Sequence, residues 1–424
     1  MMSQLLSIED AKALDAQDPL SSFREKFLIP QHDGRDALYF TGNSLGLQPK
    51  SAKDALQQEL DDWAEHGVEG HFRAYNPWLH YHELFSSALS KIAGAKESEV
   101  CAMNALTVNL HLLMISFYRP EGKRTKIICE AKAFPSDRYA LLSQIRFHGG
   151  HPETDLVELS PRDGEHLLRT EDILKAIEET GNELATVMIG GVNYYTGQFH
   201  ELKKITEAAH AQGALCGFDL AHAMGNVKLE LHKWDVDFAC WCSYKYMNSG
   251  PGAVSGIFVH ERHHNEELPR LEGWWGHDKQ TRFLMEPDYI SMGTAESWQM
   301  SNAPVLNMAV HKASLDIFME AGGMDGLTER SIRLTNYLEA TVYEVAKETG
   351  SKLEILTPSD THLRGCQLSI VAHGQGKGLY DKLMENGVFV DWREPAVIRM
   401  APVPLYNSFE DITRFGIILR DAIS

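Results

Sequence analysis

Two stretches determine the architecture we predict for this chain: Phe218-Asp219-Leu220-Ala221-His222 and Cys242-Ser243-Tyr244-Lys245-Tyr246. Around each, a run of apolar residues ends at one charged side chain, the carboxylate of Asp219 in the first and the ammonium of Lys245 in the second. Such runs predict buried strands, and a protein rarely leaves an unused ammonium group at the end of a buried strand. Pyridoxal phosphate needs a lysine to hold it as a Schiff base and a carboxylate to keep its pyridine nitrogen protonated. The pair therefore predicts a site for this cofactor.

Each of the two charged residues also has a plainer interpretation. An aspartate after an apolar strand often caps a helix, and a lysine can extend its ammonium group to the surface. Two neighbours of Lys245 favour the cofactor site. Gly250-Pro251-Gly252 predicts a turn that allows close approach of the backbone, and Tyr244 offers a hydroxyl for a phosphate or a proton transfer.

Four longer runs carry a resemblance to a known family. Over Thr41–Pro49, Gly217–Asn226, Trp234–Asn248 and Arg399–Ser408 the sequence resembles kynureninase, a pyridoxal-phosphate hydrolase of the aspartate-aminotransferase fold type. The likeness extends over nearly the whole chain. It implies the α/β fold of fold-type-I enzymes, with a large domain on a mostly parallel mixed sheet flanked by helices and a small α/β domain.

The composition is that of a globular protein. Of the 424 residues, 43% are hydrophobic, which is enough for a large core. The formal net charge of -19 argues against nucleic acid or an anionic membrane as a partner, because the field of the protein repels phosphates. No segment has the roughly 20 apolar residues of a membrane span, and residues 1–30 lack the pattern of an export signal. We therefore expect a cytoplasmic protein.

The cysteines are scattered through apolar runs, without the spacing of a structural zinc site. They are predicted to be buried thiols, and no metal site is expected. The six positions are Cys101, Cys129, Cys216, Cys240, Cys242 and Cys366.

From residue 125 onward, short apolar segments alternate with helical patterns. This alternation predicts a mostly parallel sheet covered on both faces, with ligands at the carboxyl ends of its strands. Before it, helices are predicted over 51–66, with Leu56, Leu60 and Trp63 on one face, and over 78–93.

The domain organisation follows from these patterns and from the resemblance. The chain has no internal repeat and no flexible linker, which favours closely packed domains. We expect an N-terminal segment, 1–60, that contributes to the small domain and the active site. A large cofactor-binding domain is expected over 61–310 and the C-terminal small α/β domain over 311–424.

The resemblance implies a set of cofactor contacts. Thr107 lies where an apolar helix begins, and its hydroxyl and the free amides there suit a phosphate, although a plain helix cap is an equal alternative. Phe134 is expected to stack on the pyridine ring. Many kynureninases carry a serine where this chain has Gly190, so a contact there is absent or is made by the backbone. The implied contacts are Leu106, Thr107, Phe134, Pro135, Ser136, Asp137, Asp219, His222, Tyr244, Lys245, Trp274 and Asn302.

Substrate contacts are predicted as well. Arg399 lies on an apolar strand, where a guanidinium needs an anion. A structural salt bridge can supply that anion, and so can the substrate α-carboxylate, which enzymes of this fold bind with a C-terminal arginine. The resemblance also places Ser44, His71 and Asn302 at the substrate. It implies a homodimer with shared active sites, in which Trp274 and Asn302 reach the neighbouring subunit.

The implied activity is hydrolysis of the Cβ–Cγ bond of L-kynurenine or 3-hydroxy-L-kynurenine, which gives L-alanine and anthranilate or 3-hydroxyanthranilate. This reaction belongs to tryptophan degradation and to NAD biosynthesis. Lys245 is predicted to move the α-proton, Asp219 to keep the cofactor ring protonated and Tyr244 to relay protons. His71 and Asn302 favour 3-hydroxykynurenine as an accepted substrate, because they can hydrogen-bond a ring hydroxyl.

Two alternatives to this function stay open. A cysteine desulfurase or another class V aminotransferase has the same fold, but desulfurases place a histidine before the lysine, where this chain has Tyr244. A non-catalytic protein that kept the fold is the second alternative, and the presence of Lys245 and Arg399 argues against it. Visible absorbance from a lysine-bound cofactor would distinguish an enzyme from such a protein.

Overall fold

The computed structural model describes residues 7–424. Its strands, in chain order, are β1 (Phe27–Leu28), β2 (Gln31–His32), β3 (Arg35–Asp36), β4 (Leu38–Tyr39), β5 (Gln48–Pro49), β6 (Val100–Ala102), β7 (Lys126–Glu130), β8 (Leu156–Leu159), β9 (Leu184–Gly190), β10 (Leu215–Asp219), β11 (Phe238–Trp241), β12 (Gly256–Val259), β13 (Leu353–Ile355), β14 (Leu368–Ala372), β15 (Val388–Phe389), β16 (Asp391–Arg393) and β17 (Val397–Met400).

The α-helices of the same residues are α1 (Ile8–Gln17), α2 (Ala52–His66), α3 (Gly70–Arg73), α4 (Ser86–Ala93), α5 (Leu106–Phe117), α6 (Pro135–Phe147), α7 (Pro152–Asp155), α8 (Thr170–Thr180), α9 (Leu202–Ala211), α10 (Val305–Glu320), α11 (Gly323–Thr349), α12 (Gly376–Glu385) and α13 (Phe409–Ile423). Local sequence explains several of their ends. Pro135 occupies the first turn of α6, and Ser408 and Asp411 form a capping box at the start of α13.

A seven-stranded sheet is the centre of the described structure. Its strand order is β6-β12-β11-β10-β9-β7-β8, and β12 is antiparallel to both of its neighbours. The strands from β11 to β8 are parallel, so their carboxyl ends lie along one edge. Such a sheet is covered on both faces. Along β11, Ala239 and Trp241 belong to one buried apolar cluster and Phe238 and Cys240 to another.

A four-stranded antiparallel sheet, β13-β14-β17-β16, forms a second unit near the C-terminus. Its apolar core also contains side chains from the start of the chain, namely Ala11, Leu38 and Phe40. Strand β4 pairs in parallel with β15, which ties the two ends of the chain together. Helix α11 contributes to the cores of both units. The division at residues 60 and 310 stays a prediction.

The predicted α/β fold class is confirmed, since a mixed, mostly parallel sheet lies at the centre of the large unit and a second, smaller sheet forms the C-terminal unit. The helix predicted over 51–66 forms, but the prediction of its buried face was wrong. Leu60 and Trp63 are exposed, and Glu59 and Asp62 of the same helix are buried.

Hydrogen bonds explain why two acidic side chains of α2 are buried. Glu59 accepts hydrogen bonds of 2.8 Å each from Trp78 Nε1 and Tyr81 Oη, and Asp62 accepts one of 3.0 Å from the Tyr75 amide. These bonds offset the cost of burying the carboxylates. The continuous helix predicted over 78–93 was also wrong, because Trp78–Phe85 is a 3-10 segment with a non-helical residue at His80.

Two further features of the described residues bear on the sequence predictions. The six cysteines are all buried and none of them forms a disulfide. In residues 7–424, every helix is too short or too polar to cross a bilayer.

Candidate active site

Most of the predicted cofactor residues come together at the C-terminal ends of the parallel strands. Strands β7, β9 and β10 end there at Glu130, Gly190 and Asp219, and Lys245 follows the end of β11. One cavity at this edge is lined by Leu106, Thr107, Glu130, Phe134, Ser136, Asp137, Gly190, Val192, Tyr194, Asp219, Ala221, His222, Tyr244 and Lys245. The site thus lies where ligands bind in open α/β sheets.

Lys245 presents its amine to this cavity. Its Nζ lies 3.0 Å from Nε2 of His222, 5.9 Å from the centre of the Phe134 ring and 5.8 Å from that of Tyr244. Burial, with the positive charges of Lys245 and Arg399, holds the pKa of His222 well below its usual value. The imidazole is therefore neutral and accepts a hydrogen bond from the lysine amine.

Two carboxyl groups share a hydrogen bond deep in the cavity. Asp219 accepts a hydrogen bond of 2.6 Å from the Ala221 amide at the end of β10. Burial and the negative charge of Asp219 raise the pKa of Asp137 well above its usual range. Asp137 therefore stays protonated, and its hydroxyl donates a hydrogen bond to Asp219. The pair can therefore carry one negative charge, located on Asp219.

Glu130 is a third buried carboxylate in the cavity, and we did not predict it from the sequence. Both of its carboxylate oxygens lie 3.2 Å from the amide nitrogen of Gly190. Burial, together with the charge of Asp219, raises the pKa of Glu130 to about 7, although hydrogen bonds from the backbone amides of Glu130 and Gly190 oppose this rise. The signal was present, because Glu130 is a charged residue that ends an apolar strand, just as Asp219 does.

The first turns of two helices border the cavity. Helix α5 begins at Leu106 and helix α6 at Pro135, and neither has a side-chain cap on its free amides. Ala105 is the N-cap of α5, so Thr107 lies inside the first turn and is not the cap. Free amides and a hydroxyl at a helix N-terminus bind phosphate groups well.

Arg399 is almost completely buried and has partners within the chain. Its guanidinium forms an ion pair with Asp391, and Nη1 donates a hydrogen bond of 2.5 Å to the carbonyl of Tyr194, which lines the cavity. Its Nε is buried without a partner. The structural salt bridge considered from the sequence is present. The binding of a substrate carboxylate by Arg399 stays a prediction.

Besides Arg399, five predicted site residues do not line this cavity in the single described chain. Pro135 lies next to it at the start of α6. Ser44 and Asn302 are exposed, and Trp274 donates a hydrogen bond from Nε1 to the carbonyl of Arg282. His71 packs edge-on against another ring and has a buried, unpartnered Nδ1. Their roles in binding stay predictions.

The loop that contains Ser44 packs against the lysine segment. The amide of Gly46 donates a hydrogen bond of 2.8 Å to the carbonyl of Tyr244. A Cβ atom at Gly46 would lie 2.3 Å from the carbonyl oxygen of Lys245, which explains the glycine. The loop is therefore fixed next to the cavity, although the sequence alone offered no reason for its rigidity.

The side chains at this site fit pyridoxal phosphate. Lys245 can hold the aldehyde carbon, Asp219 can face the ring nitrogen, and the amides of α5 can bind the phosphate. Two buried polar atoms, Oδ1 of Asp137 and Nδ1 of His222, have no partner among the described residues. Polar atoms in such positions are normally satisfied, so a bound polar ligand would complete the site.

Comparison with known proteins agrees with this geometry. The family model of class-V aminotransferases matches residues 38–364. Among solved structures, a cysteine desulfurase from Escherichia coli superimposes with a TM-score of 0.77 over 95% of this chain and 98% of its own, at 16% identity. That low identity supports the fold alone. The fold and the site define a pyridoxal-phosphate enzyme of the class-V aminotransferase group.

Curated relatives define the family within this group. The kynureninases of Flavobacterium psychrophilum and Flavobacterium johnsoniae are 57% and 58% identical to this chain, and 98% of each chain is covered. That of Myxococcus xanthus is 53% identical over 96% of this chain and 95% of its own. The model of the kynureninase C-terminal domain matches residues 327–419. The chain belongs to the kynureninase family, and pyridoxal 5'-phosphate is its cofactor.

Proposed function

We propose that this enzyme hydrolyses the Cβ–Cγ bond of L-kynurenine, 3-hydroxy-L-kynurenine or both. The products are L-alanine and the corresponding anthranilate. The observation that carries the proposal is the placement of the Lys245 amine and the Asp219–Asp137 acid pair in one cavity of a kynureninase-family chain. Bound pyridoxal phosphate supplies an electron sink for the charge that forms when the substrate α-proton leaves.

Asp219 maintains that electron sink. Its carboxylate is fixed by the Ala221 amide and by the Asp137 hydroxyl, so it faces the ring site in one orientation. A buried anion at this position would keep a proton on the ring nitrogen of the cofactor, because the charge of a protonated ring would compensate the cost of burying the carboxylate. The acid pair therefore acts before any bond of the substrate breaks.

Lys245 moves the α-proton. Its amine is held by the neutral imidazole of His222, which can accept a hydrogen bond but does not add a positive charge. Burial raises the pKa of Tyr244 above its usual value. The hydroxyl is therefore protonated at neutral pH and can act as a proton donor. Lys245 and Tyr244 together supply a base and an acid within one cavity.

Arg399 binds the substrate α-carboxylate in this proposal. Burial lowers the pKa of Arg399, and the charge of Asp391 opposes that effect, so the guanidinium is held as a cation. Asp391 and the Tyr194 carbonyl fix its orientation, while the unpartnered Nε remains to bind an anion. A planar guanidinium in a fixed orientation suits a carboxylate.

His71 and Asn302 select the aromatic ring of the substrate. The unpartnered Nδ1 of His71 and the exposed amide of Asn302 can hydrogen-bond a 3-hydroxyl group. A site that provides such bonds discriminates against the ring without the hydroxyl. We therefore propose that 3-hydroxykynurenine is at least an accepted substrate, which would connect the enzyme to NAD biosynthesis as well as to tryptophan degradation.

A homodimer would complete the site. Large apolar side chains are exposed on two segments, 63–75 and 274–285, and a monomer rarely leaves so many uncovered. They are Trp63, Val68, Phe72, Tyr75, Trp274, Phe283, Leu284 and Met285. We propose that a second copy of the chain covers them and that Trp274 and Asn302 reach the site of that copy. The buried free thiols of the chain suit the reducing cytoplasm, where we place the enzyme.

One assay tests the activity directly. The purified enzyme with its cofactor is incubated with each kynurenine, and alanine and the matching anthranilate are quantified. Formation of both products in equal amounts is expected, and formation of sulfide from cysteine without them would support the desulfurase alternative. A large preference for the unsubstituted ring would contradict the role proposed for His71 and Asn302.

Shared active sites are tested by mixing two inactive variants. Lys245→Ala and Trp274→Ala are each expected to be inactive as homodimers. A mixed dimer contains one intact site, because its lysine and tryptophan come from different chains. About a quarter of the wild-type activity should then return after subunit exchange. Absence of any recovery in a proven mixed dimer would contradict the shared site.

A further inference from the structure

Three carboxyl groups from three different elements meet at the closed end of the active-site cavity. Glu130 ends β7, Asp219 ends β10, and Asp137 belongs to the first turn of α6. Gly190 lies between the first two, because its amide contacts Glu130 and its backbone pairs with Asp219. All three side chains are buried and all three line the same cavity.

Three carboxyl groups this close cannot all be ionised, because each added charge is desolvated and repelled by the others. Asp219 has the strongest support for its charge, from the Ala221 amide and from Asp137. Asp137 retains its proton, as argued above. Glu130 is supported by backbone amides alone, those of Gly190 and of Glu130 itself. Its charge state is therefore the one that can change near neutral pH.

The other charged groups near Glu130 do not neutralise it. Lys245 is the cation that faces Asp137 and Asp219 across the cavity. On the neighbouring strand β8, Glu158 is paired with Arg138 through bonds of 2.9 and 3.1 Å, so that guanidinium is already engaged. The adjacent Cys129 is a buried thiol whose pKa is raised by burial, so it stays neutral.

We propose that Glu130 is a positioning residue that adjusts the charge of the acid cluster and thereby how strongly the bound cofactor holds its protons. As an anion, Glu130 adds negative potential at the site beside Asp219, so the bound cofactor holds its protons more strongly. As a neutral acid, Glu130 adds no such potential, and the cofactor releases its protons more easily. The inference rests on the proposed active site and extends it to a residue that does not touch the substrate.

The cofactor-free protein provides the first test. The pKa of Glu130 is raised above its unfolded value, so its contribution to stability is full below pH 4.5 and is lost as the pH rises through about 7. Glu130→Gln removes this loss. The Tm of the variant minus that of the wild type should therefore rise by about a few degrees between pH 5 and pH 8. Glu158→Gln, on the next strand, is the matched control and should show no such trend.

The enzyme with bound cofactor provides the second test. The pH at which its visible absorbance changes should fall by about one unit in Glu130→Gln, because a nearby anion has been removed. The pH at which kcat decreases on the alkaline side of its pH profile should fall as well. Glu130→Asp keeps the charge and should restore the wild-type position, which a purely structural role would not require.

The outcomes separate this inference from the proposed function. A constant Tm difference together with an unchanged absorbance transition in Glu130→Gln would overturn the inference, whatever the activity. A pH-dependent Tm difference without kynurenine cleavage would leave the cluster intact and reject the proposed function. If Glu130→Gln does not fold, Gly190→Ala replaces it, because the new Cβ would lie 2.9 Å from Oε1 of Glu130 and displace the carboxylate. An unmoved absorbance transition in that variant would also overturn the inference.

Discussion

Replacement of Asp219 by asparagine should separate catalysis from folding. The substitution keeps the size of the side chain, and its amide oxygen can still accept the hydrogen bond of 2.6 Å from the Ala221 amide. The substitution removes the negative charge that keeps the cofactor ring protonated.

The expected size of the effect follows from burial. Asp219 is 7% exposed, and the loss of one partner from a buried, hydrogen-bonded charge pair costs about 3–5 kcal/mol. If that energy is lost from the transition state, kcat falls by about two to four powers of ten. The stability of the fold should change in the opposite direction, that is, it should stay equal or increase. Burial raises the pKa of Asp219, so its ionised form opposes folding at neutral pH, and the neutral amide relieves that cost.

Two measurements check this pair of expectations. Release of the anthranilate gives kcat for the enzyme with its cofactor, and thermal unfolding of the cofactor-free protein gives Tm. We expect a large loss of kcat with an equal or higher Tm. Asp316→Asn, at an exposed position of α10, is the control and should change neither. Wild-type turnover in Asp219→Asn, or a lost fold, would refute the assignment.

Three further outcomes are expected. Lys245→Ala should abolish both turnover and the absorbance of the lysine-bound cofactor, and retention of either would refute the assignment of the lysine. Arg399→Lys should raise KM by about tenfold or more with a smaller change in kcat, because a bidentate carboxylate site is lost while the charge stays; an unchanged KM would leave only the structural salt bridge. Asp237→Asn should cost about 3–5 kcal/mol of stability at pH 7, because it removes the buried anion that pairs with His263 and Arg262. Burial opposes ionisation of Asp237, but hydrogen bonds from His210 and His263 and the charge of Arg262 lower its pKa, so the difference from wild type in urea unfolding should shrink as the pH falls below 4.

The sequence was sufficient for the architecture because the relevant patterns are local. Alternating apolar strands and helices after residue 125 predicted the parallel sheet. The prediction of the buried face of α2 was wrong, and the reason is not local in the sequence. Glu59 is buried because Trp78 and Tyr81 donate hydrogen bonds to it, and helical periodicity alone cannot reveal such partners.

The candidate site was predictable to the extent that its residues end strands or begin helices. Lys245, Asp219 and Phe134 lie together because strand ends meet at one edge of the sheet. Glu130 obeys the same rule but lies outside the four runs that carry the family resemblance. The partners of Arg399 could not be predicted, since Asp391 reaches it only through the pairing of β16 with β17.

The pairing of β4 with β15 has a consequence for the synthesis of the enzyme. Leu38 pairs with Val388 in register, and Thr41 forms a bridge to Ala401, so the loop beside Lys245 is held by residues that are synthesised long after it. A ribosome-bound chain that lacks these residues cannot fix that loop, even when its large sheet has folded. Catalytic competence should therefore appear only after translation has passed residue 401, because a chain truncated before the final strands lacks Arg399 and also leaves the loop beside Lys245 without its support.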